Sequence, residues 1–393
     1  MTQGRDAVIV GAVRTPVGKG KASGALHDVL PADLLAHSLR ELVARAGVDP
    51  AQVDDVIAGA VTQVGDQAAN IARNALLGAG FPESVPGVSI DRQCGSSQQA
   101  ISFAAQGVIA GAYDLVIASG VESMSRVPMG TQVLPGSNPM GEDMTRRYPE
   151  GLVPQGISAE LIASKWGFSR TQLDEFSAGS HDKAARANKD GLFDNELIPI
   201  AGLSTDEIVR PGTTVDTLSA LKPAFYSEAM KERFPQINWE ITPGNSSPLS
   251  DGSAAVLITT SETAKKLGLR PLARIHTTTV VGSDPLYMLT GVIPATEKVL
   301  RRAGLTLSDI DLFEVNEAFA PVVLAWAHDT GADLAKTNVN GGAIAIGHPL
   351  GASGARIMTT MVNALEQRGG RYALQTMCEG GGMANATIIE RLG

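Results

Sequence analysis

The sequence predicts an α/β fold built as two similar halves, with a separate segment inserted into the first. Three observations carry this. Strand-like apolar runs alternate with helix-like stretches through the first 120 residues. That alternation builds mostly parallel sheets with helices on both faces. A stretch also recurs: Ala46-Gly47-Val48-Asp49-Pro50-Ala51-Gln52-Val53-Asp54-Asp55-Val56 aligns without a gap on Ala303-Gly304-Leu305-Thr306-Leu307-Ser308-Asp309-Ile310-Asp311-Leu312-Phe313. Finally, Cys94-Gly95-Ser96-Ser97 and Gly351-Ala352-Ser353-Gly354 each open an amphipathic helix that leads into an apolar strand. Two such units in one chain point to duplication and a pseudo-two-fold arrangement.

Taken in order, Ala7–Val10 reads as the first strand. Pro31–Ala46 is a helix with proline and Asp33 at its start and Leu34, Leu35, Leu39, Leu42 and Val43 on one face. Val56–Val61 is the next strand, Asn70–Leu77 a short helix, and Val88–Ile90 the strand that ends just before Cys94. A helix with Ile101, Ala104, Ala105, Val108 and Ile109 as its apolar face leads to the strand Leu115–Ala118. Residues 121–243 differ in character. They carry Arg146-Arg147, the Lys183–Asp190 run, Pro211-Gly212, Pro223 and Pro235, and read as an inserted helical and loop domain over one end of the sheet. The first half, 1–120, is completed by 244–270, where Asp251–Ile258 returns as a strand; 271–393 is the second half. There the strand Arg274–Val281, the helix ending at Ala303, the strand Leu312–Val315, a helix with Ile357, Met358, Met361, Val362 and Leu365 inward, and the strand Tyr372–Met377 repeat the plan.

Bulk properties exclude several functions. A net charge of −9 argues against a general nucleic-acid or anionic-membrane surface, so an anionic substrate needs a local basic patch. Two cysteines in 393 residues are no disulfide framework and fit a reducing, cytoplasmic setting. No apolar run reaches the ~18 residues of a membrane span. Met1–Pro16 lacks the apolar core of a signal peptide, and the end Glu390-Arg391-Leu392-Gly393 is no peroxisomal or retention tripeptide.

The chemistry-bearing residues cluster at strand ends. Cys94 sits where a strand meets a helix, so the free N–H groups and positive end of that helix are expected to stabilise a thiolate nucleophile. Alone, Cys94 fits a buried structural cysteine equally well. Cys378 ends another strand and precedes Glu379-Gly380-Gly381-Gly382, where backbone N–H groups can approach an oxyanion. His348, held between Gly347 and Pro349 just before a helix, projects into a site rather than filling a core, and Asn316 stands at the carboxyl end of a strand. A zinc site from Cys94, Cys378 and His348 lacks the short paired spacing of metal ligands, and the glycines of 341–354 do not spell a dinucleotide fingerprint.

At this point the sequence resembles the thiolase family of acetyl-CoA C-acyltransferases. The resemblance covers essentially the whole chain. It rests on Cys94-Gly95-Ser96, Gly120-Val121-Glu122-Ser123-Met124-Ser125, Gly244-Asn245-Ser246-Ser247, Asn316-Glu317-Ala318-Phe319, Gly341–Pro349 and Cys378–Gly382. It implies a duplicated five-layered αβαβα core with an inserted loop domain, assembled as a dimer of dimers. It further implies that Cys94 carries an acyl thioester, that His348 deprotonates Cys94, and that Cys378 is the second acid/base. Asn316 would hold a water in one oxyanion hole with His348, and the N–H groups of Cys94 and Gly380 would form the other. Ser247, Lys222, Ala318 and Phe319 match positions that meet substrate and coenzyme A, although a lysine beside Pro223 fits a solvated surface charge as well. CoA is expected as substrate, with no permanent cofactor or metal, and a β-oxidation enzyme as a partner.

Three departures stand out. Ser97 and Gln98 replace the usual glycine and apolar residue after Cys94-Gly95-Ser96. Pro154-Gln155-Gly156-Ile157-Ser158 replaces a block that holds histidine in biosynthetic acetoacetyl-CoA enzymes, which leans toward degradative 3-ketoacyl-CoA thiolases. Tyr226–Glu240 is longer than expected. The block Val61–Gln67 with Asn70–Arg73 resembles thiolases acting on bulky or steroid-derived acyl chains. Three other readings compete: a biosynthetic acetoacetyl-CoA thiolase, a decarboxylating ketoacyl synthase, and a non-catalytic acyl-CoA or lipid-binding protein. The second is disfavoured by the thiol at Cys378. The last is disfavoured by the intact set of Cys94, Asn316, His348 and Cys378.

Overall fold

The repeat found in the sequence returns as matched local structure. Helix α1 (Pro31–Ala46) and helix α10 (Val292–Ala303) both end on a left-handed glycine, Gly47 at φ 67° and Gly304 at φ 69°. Each is followed by a single 3-10 turn, 50–52 or 307–309, and then by a strand. Glycine at that cap position avoids the Cβ clash of the left-handed conformation, so both stops are encoded the same way. The computed structural model describes residues 4–392. Met1–Gln3 and Gly393, part of the two ends read for targeting signals, lie outside the described residues.

Among the described residues the strands are β1 (Val8–Arg14), β2 (Gly18–Lys19), β3 (Asp55–Gly59), β4 (Gly87–Ile90), β5 (Leu115–Ser123), β6 (Ser250–Thr259), β7 (Ala273–Gly282), β8 (Leu312–Val315), β9 (Tyr372–Glu379) and β10 (Met383–Arg391). They lie in the order β4-β3-β5-β6-β1-β7-β10-β9-β8, with β2 on β6. The sheet reads as two halves back to back. They meet at β1 and β7 through only two residue pairs, Val8 with Arg274 and Ile9 with Ala273.

The expectation of a mostly parallel sheet is corrected. Only β3–β4, β3–β5 and β8–β9 run parallel. The pairs β5–β6, β6–β1, β1–β7, β7–β10 and β10–β9 are antiparallel. Helical crossovers occur only in the first part of each half. The closing strand of each half then lies antiparallel beside its neighbour, by a tight glycine turn in the case of β9 and β10.

The remaining helices are α2 (Ile71–Gly78), α3 (Ser96–Ala110), α4 (Gly141–Arg147), α5 (Gln155–Trp166), α6 (Arg170–Lys189), α7 (Val215–Ser219), α8 (Glu228–Arg233), α9 (Ser261–Leu267), α11 (Ala320–Thr330), α12 (Ala343–Ile346) and α13 (Ser353–Gln367). Helices α1 and α2 bury Leu34, Leu35, Leu39, Ile71 and Leu76 against one side of the first half. Helices α10 and α11 bury Val292, Val299, Val322 and Trp326 against the second. Between the two sheet halves, α3 and α13 share a third core of Ile101, Ala104, Met358 and Met361. The result is the five-layer αβαβα order. Ile109, expected on the inner face of α3, is 48% exposed, while Val108 in the same turn is fully buried: Ile109 sits at the outer edge of that face.

Helices α4 to α8 all lie between β5 and β6. This segment is tied to the sheet by Arg14 of β1, fully buried, which pairs with Glu196 at 2.6 Å and Asp206 at 2.7 Å. Among the described residues no helix is long and apolar enough to cross a membrane.

The central helices approach closely because small residues line their crossing. A Cβ on Gly354 would come within 2.1 Å of the Gln98 backbone nitrogen, and Ser97 Oγ accepts the Ala355 N–H at 2.9 Å. Gly354→Ala is therefore expected to push α13 off α3 and destabilise the protein by about 1–3 kcal/mol or more. Urea denaturation checks this: the midpoint should fall, whereas Gly369→Ala, at a position with open space around it, reports only the smaller cost of its left-handed backbone.

Candidate active site

The same crossing assembles the site. Gly59, the last residue of β3, and Gly120, within β5, face the start of α3 and the Gly351 carbonyl; a Cβ on Gly120 would lie 2.1 Å from that oxygen. Cys94, just before α3, packs against Leu350 of the turn that follows His348 and leads into α13. Buried Glu122 locks this corner. Its carboxylate accepts the N–H groups of Val61 at 3.0 Å, Thr62 at 3.1 Å and Gly351 at 2.8 Å.

His348 is 4% exposed and held at three points. Its N–H donates to Ser250 Oγ at 3.0 Å, Nδ1 lies 2.6 Å from Ser353 Oγ, and Nε2 lies 3.4 Å from Asn316 Nδ2. The Ser353 hydroxyl donates its one proton to the Pro349 carbonyl at 2.8 Å. In that arrangement its oxygen accepts from His348, with the ring proton on Nδ1 and Nε2 bare. A bare Nε2 can accept the Asn316 N–H, and it can accept a proton from a thiol. Gly347, at φ 113°, is required here: a Cβ would strike Ser250 Oγ at 2.5 Å.

Cys94 packs against Leu350, Ile357 and Met377. Cys378 lies within β9, one residue before its end. The expectation of a thiolate-stabilising helix start is corrected. Burial pushes the Cys94 thiol up to about 12, and the nearby Glu379 and Glu122 carboxyls push the same way; a hydrogen bond from Gln155 opposes them only in part. Desolvation in a closed site outweighs the helix dipole. Cys378 is raised in the same way, by burial first and then by the neighbouring Cys94 thiol and Glu379. Burial, and then the positive charge of Arg356, push His348 down to about 3. At neutral pH the site holds two thiols and a neutral imidazole. Glu379, buried with neither oxygen hydrogen-bonded, is itself pushed up to about 8 by burial and so keeps its charge off the thiols.

Gly380 lies where a Cβ would be 3.0 Å from Gln93 Oε1 and 3.4 Å from Gln155 Nε2. Gln93, the residue before the nucleophile candidate, has φ 48°, a left-handed backbone that glutamine adopts only when the surrounding structure enforces it. Ala318 and Phe319 are buried, and the Ala318 carbonyl accepts the Ser247 N–H at 2.9 Å. Ser247, Ala318 and Phe319 therefore form one wall. Lys222 is not part of it: its side chain is exposed. Neighbouring Leu221 instead lines a cleft of about 320 Å³ with His181, Arg210, Gly244, Pro248 and Ile344. Arg210 is a cation that the sequence reading missed; an arginine in a proline- and glycine-rich turn carried no distinguishing signal. Gln155 was noted only as part of a departure from the family pattern, because its reach to Cys94 exists only once the inserted segment folds back. Among the described residues no three His, Cys, Asp or Glu side chains converge as metal ligands.

With both thiols protonated, thiolate at Cys94 grows about tenfold per pH unit below its titration. The rate of Cys94 alkylation by iodoacetamide in the free protein is expected to climb steadily from pH 7 to 10. A plateau below pH 8 would mean a preformed thiolate–imidazolium pair.

Residues 7–262 match the family described as thiolase, N-terminal domain, and residues 269–391 match thiolase, C-terminal domain. A steroid 3-ketoacyl-CoA thiolase of Mycobacterium tuberculosis is 47% identical, over 98% of this chain and 94% of that protein. A 3-ketoacyl-CoA thiolase of Pectobacterium carotovorum is 44% identical over 98% and 99%. Among solved structures, an acetyl-CoA acetyltransferase of Bacillus anthracis superposes with a TM-score of 0.90 at 37% identity, covering 100% of both chains. The human mitochondrial 3-ketoacyl-CoA thiolase in complex with CoA superposes with a TM-score of 0.88 at 37% identity, covering 99% of this chain and 98% of that one.

Proposed function

The chain belongs to the thiolase family, cleaving 3-ketoacyl-CoA with CoA, and we propose that Cys94, His348, Cys378, Asn316 and Gly380 carry out that cleavage on bulky, ring-derived acyl chains. The observation that carries the catalytic reading is the bare Nε2 of His348, fixed by Ser353 and facing Asn316. His348 takes the Cys94 proton as sulfur attacks the C3 carbonyl, and the N–H groups of Cys94 and Gly380 receive the oxyanion. The C2–C3 bond breaks with its electron pair on C2. The thioester oxygen of the departing enolate is held by His348 and an Asn316-bound water, and Cys378 supplies the proton that makes acetyl-CoA. Free CoA then gives its thiol proton to the Cys378 thiolate and attacks the acyl thioester. Cys94 leaves and recovers its proton from His348. Each group ends as it began.

Ser247, Ala318 and Phe319 line the route of the pantetheine arm, and Arg210 and Lys222 meet its anionic end. The similarity to the steroid 3-ketoacyl-CoA thiolase supports a bulky acyl group. So does a second cleft of about 640 Å³, lined by Met144, Tyr148, Leu152, Pro285 and Met383 against Gly381 and Gly382. The insert at 121–243 supplies walls to both clefts. Met129, Leu134 and Met140, each more than half exposed on that insert, support assembly into a dimer of dimers. The setting is cytoplasmic lipid degradation, with no permanently bound cofactor and with another β-oxidation enzyme as a partner.

Intact mass after brief exposure to 3-ketoacyl-CoAs, from acetoacetyl-CoA to a steroid side-chain analogue, tests both parts. Wild type is expected to gain an acyl-sized adduct, greatest with the ring-derived chain, and Cys94→Ala none. Adducts that survive in Cys94→Ala sink the catalytic assignment; strongest labelling by acetoacetyl-CoA sinks the substrate assignment.

A further inference from the structure

Glu379 stands between Cys378 and Gly380, is fully buried, and neither of its carboxyl oxygens has a hydrogen-bond partner. The register of β9 on β10 fixes its place, setting Glu379 opposite Met383 and Met377 opposite Asn385. Alternation along a strand puts Met377 and Glu379 on one face. Met377 packs against Cys94. Glu379 reaches the next residue of that turn: a Cβ on Gly95 would lie 2.0 Å from its Oε1 and 2.8 Å from its Cδ. The carboxyl therefore fills the space where any other residue at 95 would carry a side chain. Asn385 flanks it, with Nδ2 donating to the Gly95 carbonyl at 3.0 Å and Oδ1 left without a partner.

One side chain thus joins the two sides of the oxyanion site. Its backbone leads directly into Gly380, and its carboxyl rests on the residue after Cys94. We propose that Glu379 is a positioning residue for the thiolase reaction: its buried side chain spaces the Cys94 turn from Gly380 and so sets the gap between the two N–H groups that receive the oxyanion. This rests on the role assigned above to those N–H groups. A buried acid with no cation paired to it holds such a place only while uncharged. The titratable groups that face it are Arg92, Asp91 and Cys94, all from the turn before α3, and Cys378 on its own strand. Arg92 does not bond to its oxygens: the Arg92 Nη1 lies 3.9 Å from Met383 Sδ, and its Nε has no partner. Asp91 is of like sign, and both cysteines rest as thiols. From β10 only the uncharged Met383 and Asn385 face it.

Steady-state thiolysis by the full-length enzyme tests this, with 3-ketoacyl-CoAs from acetoacetyl-CoA to the steroid side-chain analogue and free CoA. In Glu379→Ala the spacer is gone, and kcat is expected to fall about tenfold or more while KM for both substrates stays within about twofold, because the gap matters only once the oxyanion forms. Glu379→Gln keeps the shape without a charge and is expected to restore kcat at pH 7 to within about twofold of wild type. The same pair is separated by pH. Burial, against the pull of Arg92, pushes Glu379 up to about 8, so it is a neutral acid at pH 7 and an anion beside both thiols at pH 9. Wild-type kcat is therefore expected to drop about tenfold from pH 7 to pH 9 relative to Glu379→Gln, which has nothing there to ionise. A purely structural role would lower the melting temperature of Glu379→Ala and leave the kcat of its folded fraction unchanged, which overturns the proposal. So does a Gln variant that is as slow as Ala at pH 7, or one that follows the wild-type alkaline limb. Glu379→Asp, one methylene shorter, reads the same kcat loss if the Ala variant does not fold. Absence of thiolysis in wild type with every chain would instead overturn the function itself.

Discussion

Everything in this protein depends on two helices touching where glycines and serines allow no gap. Gly354 meets the backbone of Gln98, Gly120 meets the carbonyl of Gly351, and Ser97 bonds across to Ala355. Had either helix started with larger residues, the two sheet halves would stand further apart, and the turn that holds His348 and Leu350 would be drawn away from Cys94. Duplication supplies two equivalent strand-to-helix turns. Close packing at the axis between them converts that symmetry into an asymmetric constellation, with a thiol from one turn and an imidazole from the other.

Burial then dictates the electrostatics. A site closed enough to shield an enolate from water also penalises every charge placed in it before the substrate arrives. Cys94 and Cys378 are held as thiols, His348 as a neutral ring, and Glu379 as an acid. The two thiols and the imidazole all rest neutral, so proton movement is coupled to bond making and breaking. Arg356, sealed inside on α13, carries the sign that opposes protonation of His348.

Much of this was legible in the sequence. The alignment of 46–56 on 303–313 exposed the duplication because its signals are local: a glycine cap, a one-turn helix and an apolar strand. Cys94, His348, Asn316 and Cys378 stood out because each is a reactive type at a strand end or helix start. The sheet's direction was misread because alternation of strands and helices says nothing about the strands that close each half. The thiolate expectation failed because a helix start is visible in sequence but the depth of burial over it is not. Arg356 and Arg210 were illegible for a similar reason. An arginine in an amphipathic helix and another in a turn look like solvated charges until packing shows one sealed inside and the other facing a cleft.

The central claim is a covalent relay through one thiol, in which acetyl-CoA departs before CoA attacks. Initial-rate kinetics with 3-ketoacyl-CoA and free CoA varied together test it most directly. Parallel lines in a double-reciprocal plot are the predicted result, because the acyl group must rest on Cys94 between the two half-reactions. Intersecting lines would show both substrates bound before any product leaves, and would contradict the account.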